Sequence, residues 1–103
     1  MPAAYTKFFI NGQWVEPTNR QTLDVINPAT EESFARISLG TASDIDAAAK
    51  SARAAFDSWS QSSVEERKAV ISNIIAGLKA RGDEMASAIS QEMGAPMSLA
   101  KTA

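Results

Sequence analysis

The sequence has no cysteine and no histidine. Without cysteine there can be no disulfide and no thiolate nucleophile within the chain. With both residues missing, a zinc site of the usual kind is excluded, and so is the side chain best suited to proton transfer near neutral pH. Glycine is scarce. The five glycines, at positions 12, 40, 77, 82 and 94, form no GxGxxG, so the chain carries no dinucleotide-binding fingerprint. No stretch approaches the roughly 18 apolar residues of a membrane span, which predicts no membrane partner. Charge of one sign is also lacking: 10 basic and 12 acidic residues leave a formal net charge of -2. That balance gives no footprint for nucleic acid and no polybasic run for an anionic lipid surface. Met1 to Ile10 lacks the apolar run and small-residue cleavage site of a signal peptide. A cytoplasmic location is the default expectation.

What is present is the composition of a folding chain. Hydrophobic residues make up 45% and charged residues 21% of 103 residues, which suits one globular domain or part of one. The opening third reads as β structure. Asn11-Gly12 separates Lys7-Phe8-Phe9-Ile10 from Gln13-Trp14-Val15-Glu16, and a type I′ turn needs the positive φ that Asn-Gly supplies at both central positions. A second hairpin is predicted from Leu23-Asp24-Val25-Ile26 and Ser33-Phe34-Ala35-Arg36-Ile37-Ser38. Pro28 disfavours helix at Asn27 and marks the intervening turn.

After Gly40 the apolar period changes to helical. Ile45, Ala48, Ala49, Ala52, Ala55, Phe56 and Trp59 share one stripe, with Ser43 and Asp46 as the predicted capping pair and Trp59 to Ser62 as the exit. A second helix is predicted with Ser63 and Glu66, or Ser62 and Glu65, as its capping box. Its apolar face holds Val64, Val70, Ile71, Ile74, Ile75 and Leu78, with Gly82 as the residue beyond its end. Asp83 is the predicted cap of a third helix carrying Met85, Ile89 and Met93, closed by Gly94. Pro96 fits the first position of a fourth, for which only Met97 to Ala103 remain. That pattern stops without a cap, a glycine or a polar tail, which suggests a truncated element. The expected fold class is therefore α+β: two N-terminal β-hairpins over residues 4–40, then three helices and the start of a fourth over 41–103.

Candidate chemistry is thin. Gly77-Leu78-Lys79-Ala80-Arg81-Gly82 has the glycine spacing of a phosphate loop, but Asp83 and Glu84 follow where lysine and Ser/Thr are required. A helix-interior glycine and a helix-terminal glycine explain the pair better. The adjacent acids Glu31-Glu32, Glu65-Glu66 and Asp83-Glu84 stand at turns or helix starts. Neighbours in a helix do not face each other, so caps and solvated charge are the simpler reading than general acid–base work. Without histidine, a nucleophilic serine would need lysine beside it. Lys50-Ser51 and Ser98 with Lys101 are the only close pairs, and both read as surface. Met85, Met93 and Met97 read as core at helical spacing rather than as an adaptable binding groove.

The run of residues is more specific than its periodicity. Phe9-Ile10-Asn11-Gly12-Gln13-Trp14 is followed by Ile26-Asn27-Pro28-Ala29-Thr30-Glu31-Glu32. Then come Ala47 to Phe56 with Trp59, Glu66-Arg67, Leu78, Arg81 and Glu84 to Ala88, and finally Gln91-Glu92-Met93-Gly94-Ala95-Pro96. This order resembles the opening of the aldehyde dehydrogenase superfamily, from about Lys7 to the end. Glu31 departs from the glycine that many relatives have in that turn.

The resemblance implies a chain several times longer, with a Rossmann-like NAD(P)-binding domain, a catalytic domain and an oligomerisation arm. Residues 1–103 would be the N-terminal part of the cofactor-binding domain. The family reaction oxidises an aldehyde to a carboxylic acid. A cysteine thiolate attacks the aldehyde, hydride passes to NAD or NADP, a glutamate activates water, and an asparagine helps form the oxyanion site. All of these lie beyond Ala103 in the family. The expectation is that this chain holds no catalytic and no cofactor-binding residue, and that the whole enzyme is a homo-oligomer, dimeric or tetrameric. One family position carries over: backbone oxygens of Val25 and Ile26 with the Glu92 carboxylate as a monovalent-cation site, for Na+ or K+. The alternative there is a helix-terminal glutamate bonded to the hairpin backbone. The alternative for the whole chain is a free-standing, non-catalytic helical binding or scaffold module derived from the family. Under the leading reading the isolated chain should expose the apolar faces of its helices.

Overall fold

The structure is a computed structural model that describes residues 3–103. Met1 and Pro2, the first two residues of the Met1 to Ile10 segment that lacks a leader pattern, lie outside the described residues. Among the described residues five strands precede four helices: β1 (Ala3–Tyr5), β2 (Phe8–Ile10), β3 (Gln13–Val15), β4 (Thr22–Asn27), β5 (Glu32–Ser38), α1 (Ala42–Trp59), α2 (Val64–Ala80), α3 (Gly82–Met93) and α4 (Met97–Ala100). The order is the predicted α+β one. The chain divides into two compact units, residues 1–25 with 33–61 and residues 26–32 with 62–103.

In the first unit, β2 and β3 pair antiparallel with Phe8 opposite Val15, Phe9 opposite Trp14 and Ile10 opposite Gln13. Asn11 and Gly12 both have positive φ, 55° and 75°, as the two-residue turn requires. Phe9 and Trp14 pack across the strands in a tilted arrangement, with ring centroids 5.1 Å apart and planes at 52°, the kind of cross-strand pair that stabilises a hairpin. The second sheet has the order β1-β5-β4. β4 and β5 make the second predicted hairpin, and Arg36 on one meets Asp24 on the other at 3.2 Å. β1 is an addition: it runs parallel to β5, with Ala3 opposite Ala35 and Tyr5 opposite Ile37. Ser38, buried at the end of β5, donates its hydroxyl to the Thr6 carbonyl at 2.7 Å.

The start of α1 corrects the predicted cap. Thr41, not Ser43, is the N-cap, and Asp44, not Asp46, closes the capping box. Both pairs obey the same local rule. Thr18 decides between them, because its backbone N–H donates to Asp44 Oδ1 at 3.2 Å and its hydroxyl lies 2.8 Å from that of Thr41.

In the second unit, α2 opens with the expected box: Ser63 accepts from the Glu66 N–H at 3.1 Å and donates its own N–H to the Glu66 carboxylate at 3.1 Å. Its end differs from expectation. Gly82 does not close α2 in a left-handed conformation; it begins α3, and Asp83 is not its cap. Arg81 alone joins the helices, at φ −112° and ψ 24°. Its guanidinium forks onto the Glu84 carboxylate, with Nε to Oε2 at 2.9 Å, so the connection needs no glycine. Gly94 does close α3 left-handed, at φ 77°, with its N–H on the Ser90 carbonyl at 2.9 Å. Pro96 is extended and stands one position earlier than predicted, as the residue before α4. That helix covers only Met97–Ala100 and ends in a turn.

Among the described residues the only buried apolar side chains are Ala35, Ala86 and Ala100. The predicted stripes form, but they remain uncovered. Ile45, Phe56 and Trp59 on α1 are exposed, and α2 has no buried residue at all.

Candidate functional site

The structure separates the chemistry-bearing residues more than it gathers them. Gly77 lies inside α2 and Gly82 inside α3, so the would-be phosphate loop is two helices and a one-residue joint. Ser51, on α1, gives its hydroxyl hydrogen to Asn11 Oδ1 at 3.4 Å rather than to the neighbouring Lys50. Ser98 and Lys101 share no hydrogen bond among the described residues. Of the paired acids, Glu66 caps a helix, Glu84 holds Arg81, and Glu31 sits in the hairpin turn at φ 60°. No group of three or more His, Cys, Asp or Glu is arranged for a metal, and no helix is long and apolar enough to cross a membrane, among the described residues.

One polar cluster is built. Asp44 is buried, with only 8% of its surface exposed. Its Oδ2 accepts from the Thr41 N–H at 2.9 Å and the Thr41 hydroxyl at 3.1 Å, while Oδ1 accepts from the Thr18 N–H. The Thr41 backbone N–H is the main reason its pKa falls below the ordinary 3.8; burial works against this, and the Thr18 N–H adds to it. Both carboxylate oxygens accept from structural donors, so the cluster ties the Thr18 loop to the helix start. Beside it an open cleft of about 420 Å³ runs between β2 and α1, lined by Phe8, Ile10, Gly40, Ile45 and Ala48 with Lys7 at its edge. It is mostly apolar.

The carried-over cation positions fall as follows. Val25 and Ile26 are consecutive in β4, and Glu92 is exposed in the last turn of α3. Next to them the Asn27–Glu32 turn is held by its own hydrogen bonds. Asn27 Oδ1 accepts from the Ala29 N–H at 2.9 Å, and the Asn27 carbonyl accepts from the Glu31 N–H at 2.8 Å. A Cβ at Gly94 would stand 3.0 Å from Pro28 Cγ. The glycine that ends α3 therefore touches the proline that shapes the turn, and neither can be enlarged freely.

The model of the aldehyde dehydrogenase family matches residues 14–103. This chain belongs to the aldehyde dehydrogenase family. A 3-succinoylsemialdehyde-pyridine dehydrogenase from a Pseudomonas species is 44% identical over 93 residues, 90% of this chain and 20% of that protein. The aldehyde dehydrogenase of Bartonella henselae is 42% identical and superposes with a TM-score of 0.96 over 98% of this chain and 21% of its own. A variant of aldehyde dehydrogenase C from Pseudomonas syringae, solved with NAD+ and octanal, is 45% identical with a TM-score of 0.93 over 95% of this chain and 20% of its own. The chain spans about a fifth of the length of the aldehyde dehydrogenases it matches, consistent with a fragment of a larger fold.

Proposed function

We propose that this chain is the amino-terminal segment of an NAD(P)+-dependent aldehyde dehydrogenase, forming over residues 1–103 one flank of its cofactor-binding domain. The catalytic and oligomerisation domains would belong to the rest of a homo-oligomeric enzyme that oxidises an aldehyde to its carboxylic acid. The observation that carries this reading is the TM-score of 0.96 over nearly the whole chain against only a fifth of a solved aldehyde dehydrogenase. A chain without cysteine cannot supply the thiolate of the expected cysteine mechanism. Its residues do not fit a nicotinamide cofactor either, since no glycine-rich phosphate loop is present. The segment's part is then to complete a folded body. The free-standing-module alternative has no observation of its own in its favour.

The same reading extends to a monovalent cation held by the Val25 and Ile26 carbonyls and the Glu92 carboxylate. Carbonyl and carboxylate oxygens suit a hard cation. Ile26 and Glu92 each stand two residues ahead of the touching pair Pro28 and Gly94, within one compact unit, which supports their belonging to a common neighbourhood.

The test is a chimera in which this chain replaces the matching first fifth of the Bartonella henselae enzyme. It should fold and reduce NAD+ with an aldehyde at a kcat/KM within about tenfold of the parent, a loss below 1.4 kcal/mol in transition-state stabilisation. The 103-residue chain alone should reduce none. A chimera that is inactive beside an active parent overturns the reading.

A further inference from the structure

The apolar stripe of α2 is a large feature that the segment does not cover itself. Val70, Ile71, Ile74, Ile75 and Leu78 follow one another at helical spacing on α2, and each is 41–57% exposed. The opposite face carries Glu65, Ser72, Asn73, Ala76 and Lys79. A 17-residue helix with one wet face and a half-covered apolar face leaves much of its tertiary packing unmade.

We infer that this stripe is a docking surface for the carboxy-terminal four fifths of an aldehyde dehydrogenase, strong enough to hold that body without a peptide bond between them. The inference rests on the proposed function and goes beyond it: the segment would be a separable subunit, able to complement the body in trans. Two observations select this occupant. Solved relatives keep the same backbone within chains about five times as long, so a body of the right kind lies beyond the matched region. A second copy is the poorer fit. The five half-exposed side chains present on the order of 450 Å² per copy, so a symmetric pair would bury about 900 Å², short of the roughly 1,200–2,000 Å² of stable interfaces. A larger body can cover the stripe and also reach the exposed Met85, Met93 and Leu99 of the same unit.

The experiment uses the chimera with a protease site inserted after Ala103. Cutting a folded chimera avoids asking two separate pieces to fold alone. After cleavage the two pieces should co-elute on gel filtration at micromolar concentration and keep most of the uncut activity. Ile71→Glu with Ile75→Glu should weaken their association by at least about a hundredfold, since a charge would then have to enter an apolar contact. Ser72→Glu with Ala76→Glu, on the opposite face of α2, should leave it unchanged.

Pieces that separate on cleavage overturn the docking inference while an active uncut chimera keeps the proposed function. An inactive, unfolded chimera overturns both. If the free chain forms a dimer that Ile71→Glu abolishes, the stripe serves a second copy and the chosen occupant is wrong. Equal effects of the two variant pairs would also overturn the inference, because the stripe would then have no special role.

Discussion

Replacing Gly94 by alanine should loosen the end of α3 through two separable costs. The first is conformational. Gly94 has φ 77°, and an L side chain in the left-handed region costs about 1–2 kcal/mol. The second is steric. The new Cβ would lie 3.0 Å from Pro28 Cγ and 3.7 Å from its Cβ, so the ring must retreat by a few tenths of an ångström, an overpacking cost of about 1 kcal/mol at the low end of the usual range. A combined loss of about 2–3 kcal/mol corresponds to roughly 30- to 150-fold faster exchange of the amide at position 94, if local opening controls it. That amide is a good reporter, because it bonds the Ser90 carbonyl at 2.9 Å and so closes the helix. Hydrogen exchange followed by NMR would be measured in Gly94→Ala, Pro28→Ala and the double variant. In the Pro28→Ala background the second substitution should cost only the conformational part. An equal cost in both backgrounds refutes the contact with Pro28, and no cost in either refutes the requirement for glycine as well.

Two further outcomes follow from the polar groups. Asp44 has a pKa lowered chiefly by the Thr41 N–H. The stability it contributes is therefore complete above its ordinary value of 3.8 and is lost as pH falls through its lower folded value. A carboxyl-carbon NMR titration should place its midpoint below 3.8, with the Thr18 and Thr41 amides losing protection only beneath it; a midpoint at or above 3.8 would show that those N–H groups do not hold it. At the proposed cation site, replacing a large organic cation with K+ or Na+ should raise the melting temperature of the active chimera. Glu92→Gln should remove that gain, and a gain undiminished by the substitution assigns the ion elsewhere.

The elements most legible in the sequence are those whose signal is local. Asn11-Gly12 fixes a hairpin because both residues tolerate positive φ, and Ser63 with Glu66 sets a helix start because each satisfies the other's backbone. The misses share a non-local cause. Thr41-Ala42-Ser43-Asp44-Ile45-Asp46 holds two overlapping capping pairs, and the deciding donor, Thr18, is 23 residues before the true cap. Strand β1 has only Ala3, Ala4 and Tyr5, with no alternation to notice, and its partner begins about thirty residues later. Gly82 invited a left-handed helix end, yet the Arg81–Glu84 fork and one bent residue make the joint instead. The cation positions Val25, Ile26 and Glu92 had no signal of their own; resemblance alone singled them out.

Periodicity told which residues share a face, but a face on a helix says nothing about whether anything covers it. Here that difference decides the role of the segment. Both long helices are locally complete, since each opens with a closed capping box, and such boxes are worth only about 1 kcal/mol apiece. The α2 stripe is a much larger quantity. Removing on the order of 450 Å² from water at about 25 cal/mol per Å² would stabilise the structure by about 11 kcal/mol, comparable with the entire stability of an ordinary domain at 5–15 kcal/mol. The caps and turns specify the shape of the segment, and on the docking inference the surface it meets supplies much of the energy that holds this shape.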